Sequence, residues 1–175
     1  MPSLPDVLGS WRGFYSLVGE GSATMVALLF VAASIASERF RNSRSPAIRM
    51  FLSASVVHFC GLLAISLVVL APIVDWLVAG GLVVACGLFG LGYYGLAWRD
   101  AVRDGLARRI DLEDRVWYAV LPSVGYLLET AAGVMLVCAA DAGVIVLAVS
   151  TGLLLAVGIH NAWDITIWSI TRPRE

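Results

Sequence analysis

The stretch GVIVLAVSTGLLLAVGIHNAWDITIWSI, Gly143 to Ile170, decides the fold. As a helix it is long enough to cross a hydrocarbon core of about 30 Å. Its apolar residues run on without the two-residue alternation that a membrane barrel strand needs. Four similar runs precede it, at Phe14–Ser37, Met50–Ile73, Leu77–Trp98 and Val116–Ala140. Backbone groups in lipid must be hydrogen-bonded within the protein, so such runs are helices. The chain reads as all-α, a polytopic transmembrane helical bundle of five spans. With 59% hydrophobic and 14% charged residues, the composition excludes a soluble domain. The linkers are short, which makes residues 1–175 a single transmembrane domain in the lipid bilayer.

Orientation follows from arginine, since the chain contains no lysine. Arg39, Arg41, Arg44 and Arg49 fill the first linker, Arg99, Arg103, Arg108, Arg109 and Arg115 the third, and Arg172 and Arg174 end the chain. The second and fourth linkers carry only Asp75 and Asp141. The positive-inside rule places the arginine-bearing segments and the C-terminus in the cytoplasm and the N-terminus outside. Five spans give that parity, with Arg12 the one contrary charge. A net charge of −1 argues against a nucleic-acid partner, and the arginines read as topology signals and anionic-lipid contacts.

Residues 3–12 form a short interfacial helix in this reading. Ser3 caps it, Pro5 lies in its first turn, and Leu4, Val7, Leu8 and Trp11 recur at helical spacing. Residues 99–115 form a cytoplasmic elbow: the third span continues through Arg103, breaks near Gly105 and restarts at Asp111, with Asp114 three residues on. The elbow is the candidate contact for a cytoplasmic protein partner. Cys60, Cys86 and Cys138 fall within spans without metal or redox spacing, and read as small apolar fillers. No cleavable signal peptide is expected, because no basic segment precedes the first apolar run.

Ionisable groups at membrane depth are costly and therefore mark candidate sites. Here they are Glu20, His58, Glu129, His160 and Asp164, with Asn161 beside the last two. In the fifth span a four-residue step links Ala148, Gly152, Ala156, His160 and Asp164. That step predicts a small-residue packing face carrying an imidazole and a carboxylate one turn apart, within hydrogen-bonding reach. Gly19, Ala23 and Ala27 make a similar stripe in the first span, and Gly125 and Gly133 flank Glu129. The third span, with Gly87, Gly90, Gly92 and Gly95, has no clean register and predicts a kink or a tight crossing. Counted by depth, Asp164, His58, His160, Glu129 and Glu20 form a ladder of proton acceptors, as a relay requires.

Other chemistries fit subsets of these residues. His58 and His160 are the minimum for bis-histidine haem ligation. His58, Glu129, His160 and Asp164 offer nitrogen and oxygen ligands to a divalent metal such as zinc, manganese or iron. A buried His–Asp link that only locks helix packing is the structural alternative. The serines and threonines of the spans have no nucleophile setting, so the chain reads as a non-enzyme, with no catalytic residues and no cofactor expected.

Several segments also resemble one family. Leu29-Phe30-Val31-Ala32, Val56-Val57-His58-Phe59, Tyr118-x-x-Leu121-Pro122 with Tyr126, and Gly158-Ile159-His160-Asn161-Ala162-Trp163-Asp164 are similar to small uncharacterised bacterial multi-pass integral membrane proteins. The resemblance spans the chain through short motifs. It implies a bacterial plasma (inner) membrane location and a multi-helix bundle, and it implies no activity. His58 and Asn161 to Asp164 match the family pattern. Glu20 and Glu129 do not, and His160 stands at a variable position, which leaves His58 with Asp164 as the supported pair. The functional expectation is an oligomeric channel or proton/cation pathway, a homo-oligomer using intramembrane His, Asp and Glu. The alternatives are a regulatory, partner-binding membrane protein and a haem- or metal-binding one.

Overall fold

A computed structural model describes residues 4–40, 46–103 and 112–171, with side-chain surroundings described except at 5, 33, 35–40, 46–54, 101, 165 and 168–171. Among the described residues there is no strand. The helices are α1 (Leu4–Gly9), α2 (Arg12–Phe40), α3 (Pro46–Leu70), α4 (Trp76–Arg103), α5 (Leu112–Arg115), α6 (Leu121–Val137) and α7 (Ala142–Thr171), with a π-helical segment, Val116–Val120, joining α5 to α6. Four stretches are long and apolar enough to cross a membrane: Arg12–Ala32, Trp76–Asp100, Leu112–Val137 and Ala142–Asp164. In α3 the described apolar stretch is Ser55–Leu70, shorter than a span, although the whole helix runs 25 residues. The elbow expected at 99–115 is described at its ends only: α4 does reach Arg103, while Gly105 and Asp111 lie outside the described residues.

Local chemistry sets the boundaries. The Asp75 carboxylate accepts the Leu77 N–H at 2.7 Å and caps α4. The α6 end closes in a Schellman arrangement, Ala140 N–H donating to the Met135 carbonyl and Ala139 N–H to Leu136. This puts Ala139 at φ 53°, in the left-handed region. Alanine is strained there and glycine is not. Ala139→Gly is expected to stabilise the fold by about 1 kcal/mol, read as a raised unfolding midpoint in detergent; a lowered midpoint would contradict it.

Pro122 explains the π segment. It has no N–H to give the Tyr118 carbonyl four residues back, and the preceding Leu121 N–H bonds to Val116, a five-residue step. The wider turn re-aims Trp117 and Tyr118, a type of irregularity frequent at functional sites.

The long helices alternate in direction. One core joins the start of α2 (Tyr15), the end of α3 (Ile65, Val69), the start of α4 (Ala79, Val83), the end of α6 (Ala132, Leu136) and the start of α7 (Val144, Leu147). The opposite half gathers Leu29, Phe59, Leu62, Tyr94, Tyr126, Leu154 and Ala162. α4 packs along α6, α6 along α7, and α3 touches both α4 and α7, closing a ring of four helices; α2 packs along α3 and sends Tyr15 into the core. The glycines of α4 make its crossing with α6 tight. A Cβ on Gly80 would fall 2.6 Å from the Val137 nitrogen, and one on Gly133 2.6 Å from that of Val84. Close backbone approach of this kind holds helices together where lipid supplies no hydrophobic drive.

α1 packs one face into the bundle: Leu4 and Leu8 are buried in the core around Tyr15 and Val144. The small-residue step in α7 follows its packing face only in part: Ala148 is buried, and Gly152, His160 and Asp164 are half-buried. Ala156 is exposed, and the buried stripe is Val144, Leu147, Thr151, Leu154, Val157 and Asn161. The mixed three- and four-residue spacing tracks a 3.6-residue turn, whereas a strict step of four drifts off the face.

Candidate functional site

His58 sits where the four ring helices meet. It projects from α3 and is 1% exposed. Its Nε2 donates to the Leu154 carbonyl of α7. The hydroxyls of Tyr94 on α4 and Tyr126 on α6 approach its Nδ1 at 3.3 and 3.2 Å. A carbonyl only accepts, so Nε2 carries the hydrogen and Nδ1 of the neutral ring is the acceptor. Nδ1 has one lone pair for two hydroxyls. Both bonds are accordingly long, and the junction holds more donors than it can fully accept. The three rings pack edge-on or tilted, His58 lying 6.2 Å from Tyr94 and 5.9 Å from Tyr126 between centroids.

Glycines make the junction possible. A Cβ on Gly90 would lie 2.2 Å from the Tyr126 ring, and one on Gly158 would lie 2.8 Å from His58 Cδ2. Only hydrogen at those positions lets Tyr126 lie across α4 and lets the imidazole reach the α7 backbone. The Ser150 hydroxyl ties α7 to α6 through the Gly125 carbonyl at 2.8 Å.

Polar groups continue along the ring axis on either side. One turn from Tyr126, Glu129 is 3% exposed, with Tyr15, Cys86 and Tyr126 in electrostatic range. Tyr15, fully buried, turns its hydroxyl towards Thr151 without closing a well-formed bond. Thr151 gives its own hydrogen to the Leu147 carbonyl at 2.7 Å. In the other direction, Asn161 is buried with its Oδ1 unpartnered. Tyr118, in range of Tyr94, bonds to Asp164. Asp164 in turn meets His160, Nε2 to Oδ2 3.3 Å, and His160 stacks on Trp117 at 3.8 Å between centroids.

The residues singled out from sequence therefore divide. His58, Glu129 and Asn161 lie inside the bundle. His160 and Asp164 are joined as their spacing predicts, but at the end of the bundle, with side chains 29% and 40% exposed. Glu20 is exposed on α2. Among the described residues no three His, Cys, Asp or Glu side chains gather as metal ligands, and both ring nitrogens of His58 are engaged within the protein. Sequence reasoning missed the tyrosines. Tyr15, Tyr94, Tyr118 and Tyr126 connect the axis, and the available signal was that all five tyrosines fall in or beside apolar runs.

Comparison of the chain with protein-family models, curated proteins and solved structures yields no match.

Proposed function

We propose that this chain is an integral membrane protein of the bacterial inner membrane that moves protons along the axis of its four-helix ring. In this reading five helices cross the bilayer, α3 included, with the N-terminus outside and the arginine-rich linkers and C-terminus in the cytoplasm. The observation that carries the reading is the His58 junction, where one imidazole nitrogen faces hydroxyls from two other helices. The Tyr126 hydroxyl gives its proton to Nδ1 and is reprotonated from the Glu129 side; Tyr94, having passed its own hydroxyl proton on towards Tyr118, takes the proton back from Nδ1, while the Nε2–Leu154 bond keeps the ring in place and steadies the transient imidazolium. Glu129 and Tyr15 extend the path one way; Asn161, Tyr118 and Asp164 extend it the other. The groups line the interior of one chain, so the path runs through a protomer and not between subunits of a homo-oligomer. Trp117 and His160 close the inner end, where the elbow at 99–115 is the contact for any cytoplasmic partner.

The test is pH-gradient-driven proton uptake into liposomes holding a pH-sensitive dye. Tyr126→Phe keeps the ring and removes the hydroxyl, and it should slow flux about a hundredfold. Asp164→Asn should slow it as well, since it removes the acceptor at the inner end. Flux absent from the unaltered protein, or unchanged in both variants, would remove this reading.

A further inference from the structure

We infer that the cleft between the α1–α2 corner and the α3–α4 turn is a binding site for one anionic phospholipid, with its phosphate on the Arg12 guanidinium and its acyl part on the apolar walls. The site is independent of the relay, and its test measures no flux.

The cleft has a volume of about 250 Å³. Leu8 and Gly9 of α1 line one side, Val69 of α3 and the turn at 71–74 the other, and Arg12 at the start of α2 is its one charged lining residue. Two backbone bonds hold the turn, Ala71 N–H to the Leu67 carbonyl at 2.9 Å and Ile73 N–H to the Ala71 carbonyl at 2.8 Å. Leu8 and Val69 are buried whereas Gly9, Pro72 and Val74 are exposed, so the cleft runs from the core to the surface. Its level is that of the bilayer surface. One membrane-long apolar stretch begins at Arg12 and the next at Trp76, just beyond the turn. Trp11 and Trp76 pack against the core at this end, and indole rings favour the headgroup level.

Arg12 calls for an anion. It runs against the positive-inside bias of the other arginines, and among the described residues no carboxylate pairs with it. The first turn of α2 has no acidic residue to offset the helix dipole, so two positive features meet at one edge of the cleft. Asp75, next to the turn, caps α4, and neither it nor Asp6 lines the cleft. A guanidinium matches phosphate through two parallel N–H bonds. The other walls are apolar and would be left unused by a free ion. A phospholipid supplies both halves at the depth where the cleft lies. With no acid in the lining to take an ammonium group, a net-negative headgroup fits better than a zwitterionic one.

The experiment illuminates the detergent-solubilised full chain with phosphatidylglycerol that carries a photoactivatable group near the head of one acyl chain, and maps the labelled peptides. Labelling should concentrate at residues 69–74. Unlabelled phosphatidylglycerol should compete, while phosphatidylcholine or inorganic phosphate should need at least about tenfold more. Arg12→Gln should require about tenfold more lipid for half-labelling, and Arg12→Lys should recover part of that loss. Gly9 lines the cleft and a Cβ there would meet nothing within 4 Å, so Gly9→Leu takes up the space without a backbone clash and should abolish the labelling. Gly13 is equally open but lies outside the lining, and Gly13→Leu should label like the unaltered chain. Labelling at 69–74 that ignores both Arg12→Gln and Gly9→Leu, or labelling spread evenly along the helices, would overturn the site. Equal competition by phosphatidylcholine would overturn the anionic headgroup, and equal competition by inorganic phosphate would overturn a lipid as the occupant.

Discussion

Replacing His58 with alanine is expected to cost about 3–5 kcal/mol and to stop proton flux. The loss has two parts. Removing a ring that is 1% exposed leaves a cavity where four helices meet. It also leaves the Tyr94 and Tyr126 hydroxyls facing a void instead of Nδ1, and each unsatisfied buried hydroxyl adds about 1–3 kcal/mol. His58→Gln separates stability from transport. Its amide can donate to Leu154 and accept from a tyrosine, so stability should largely return. An amide has no basic nitrogen to carry a proton, so flux should not. Unfolding midpoints of both variants beside liposome flux give the answer. If His58→Gln conducted like the unaltered chain, the junction would not be a proton carrier.

Gly90→Ala should be nearly as damaging, by about 3 kcal/mol, though it adds a single methyl group. The new carbon would lie 2.2 to 2.6 Å from three atoms of the Tyr126 ring, so the ring must leave or α4 and α6 must separate. They pack along their length through Gly80, Gly87 and Gly133, where added carbons would meet backbone, so separation would undo the whole crossing. Departure of the ring breaks its bond to His58. The three nearest atoms all belong to Tyr126, which allows a strict check: with Tyr126→Ala in place, Gly90→Ala should cost well under half as much as it does alone. Equal costs in both backgrounds would place the strain elsewhere. Gly92 and Gly95, which face nothing within 4 Å, should accept alanine without loss.

The helical class and the polar residues most at odds with lipid were legible in the sequence. Long uncharged runs have one solution to backbone hydrogen bonding in lipid, whatever packs against them. The link between His160 and Asp164 was legible for a similar reason, since a four-residue step brings side chains together within one helix. The exposure of Glu20 was not legible, because depth along a helix is countable, whereas the direction of a side chain depends on which face meets a neighbour. α7 shows the same limit: its step of four runs from buried Ala148 to exposed Ala156, and the face that Leu154 and Val157 share is the fully buried one. In a membrane helix apolar residues cover every side, so no amphipathic contrast marks the interior.

The tyrosines were illegible for another reason. In a sequence, Tyr94 and Tyr126 resemble belt residues or core fillers, because half of each side chain is apolar. Their role appears only when three helices bring two hydroxyls to one imidazole.

By itself, the sequence determined that this protein is a bundle of long apolar helices with a few costly polar groups inside, because lipid solvation acts on each segment separately. Tertiary structure alone decided which of those groups meet. That choice rests on glycine-sized gaps at positions 90, 133 and 158, and the fit across such gaps belongs to pairs of helices and to neither member alone.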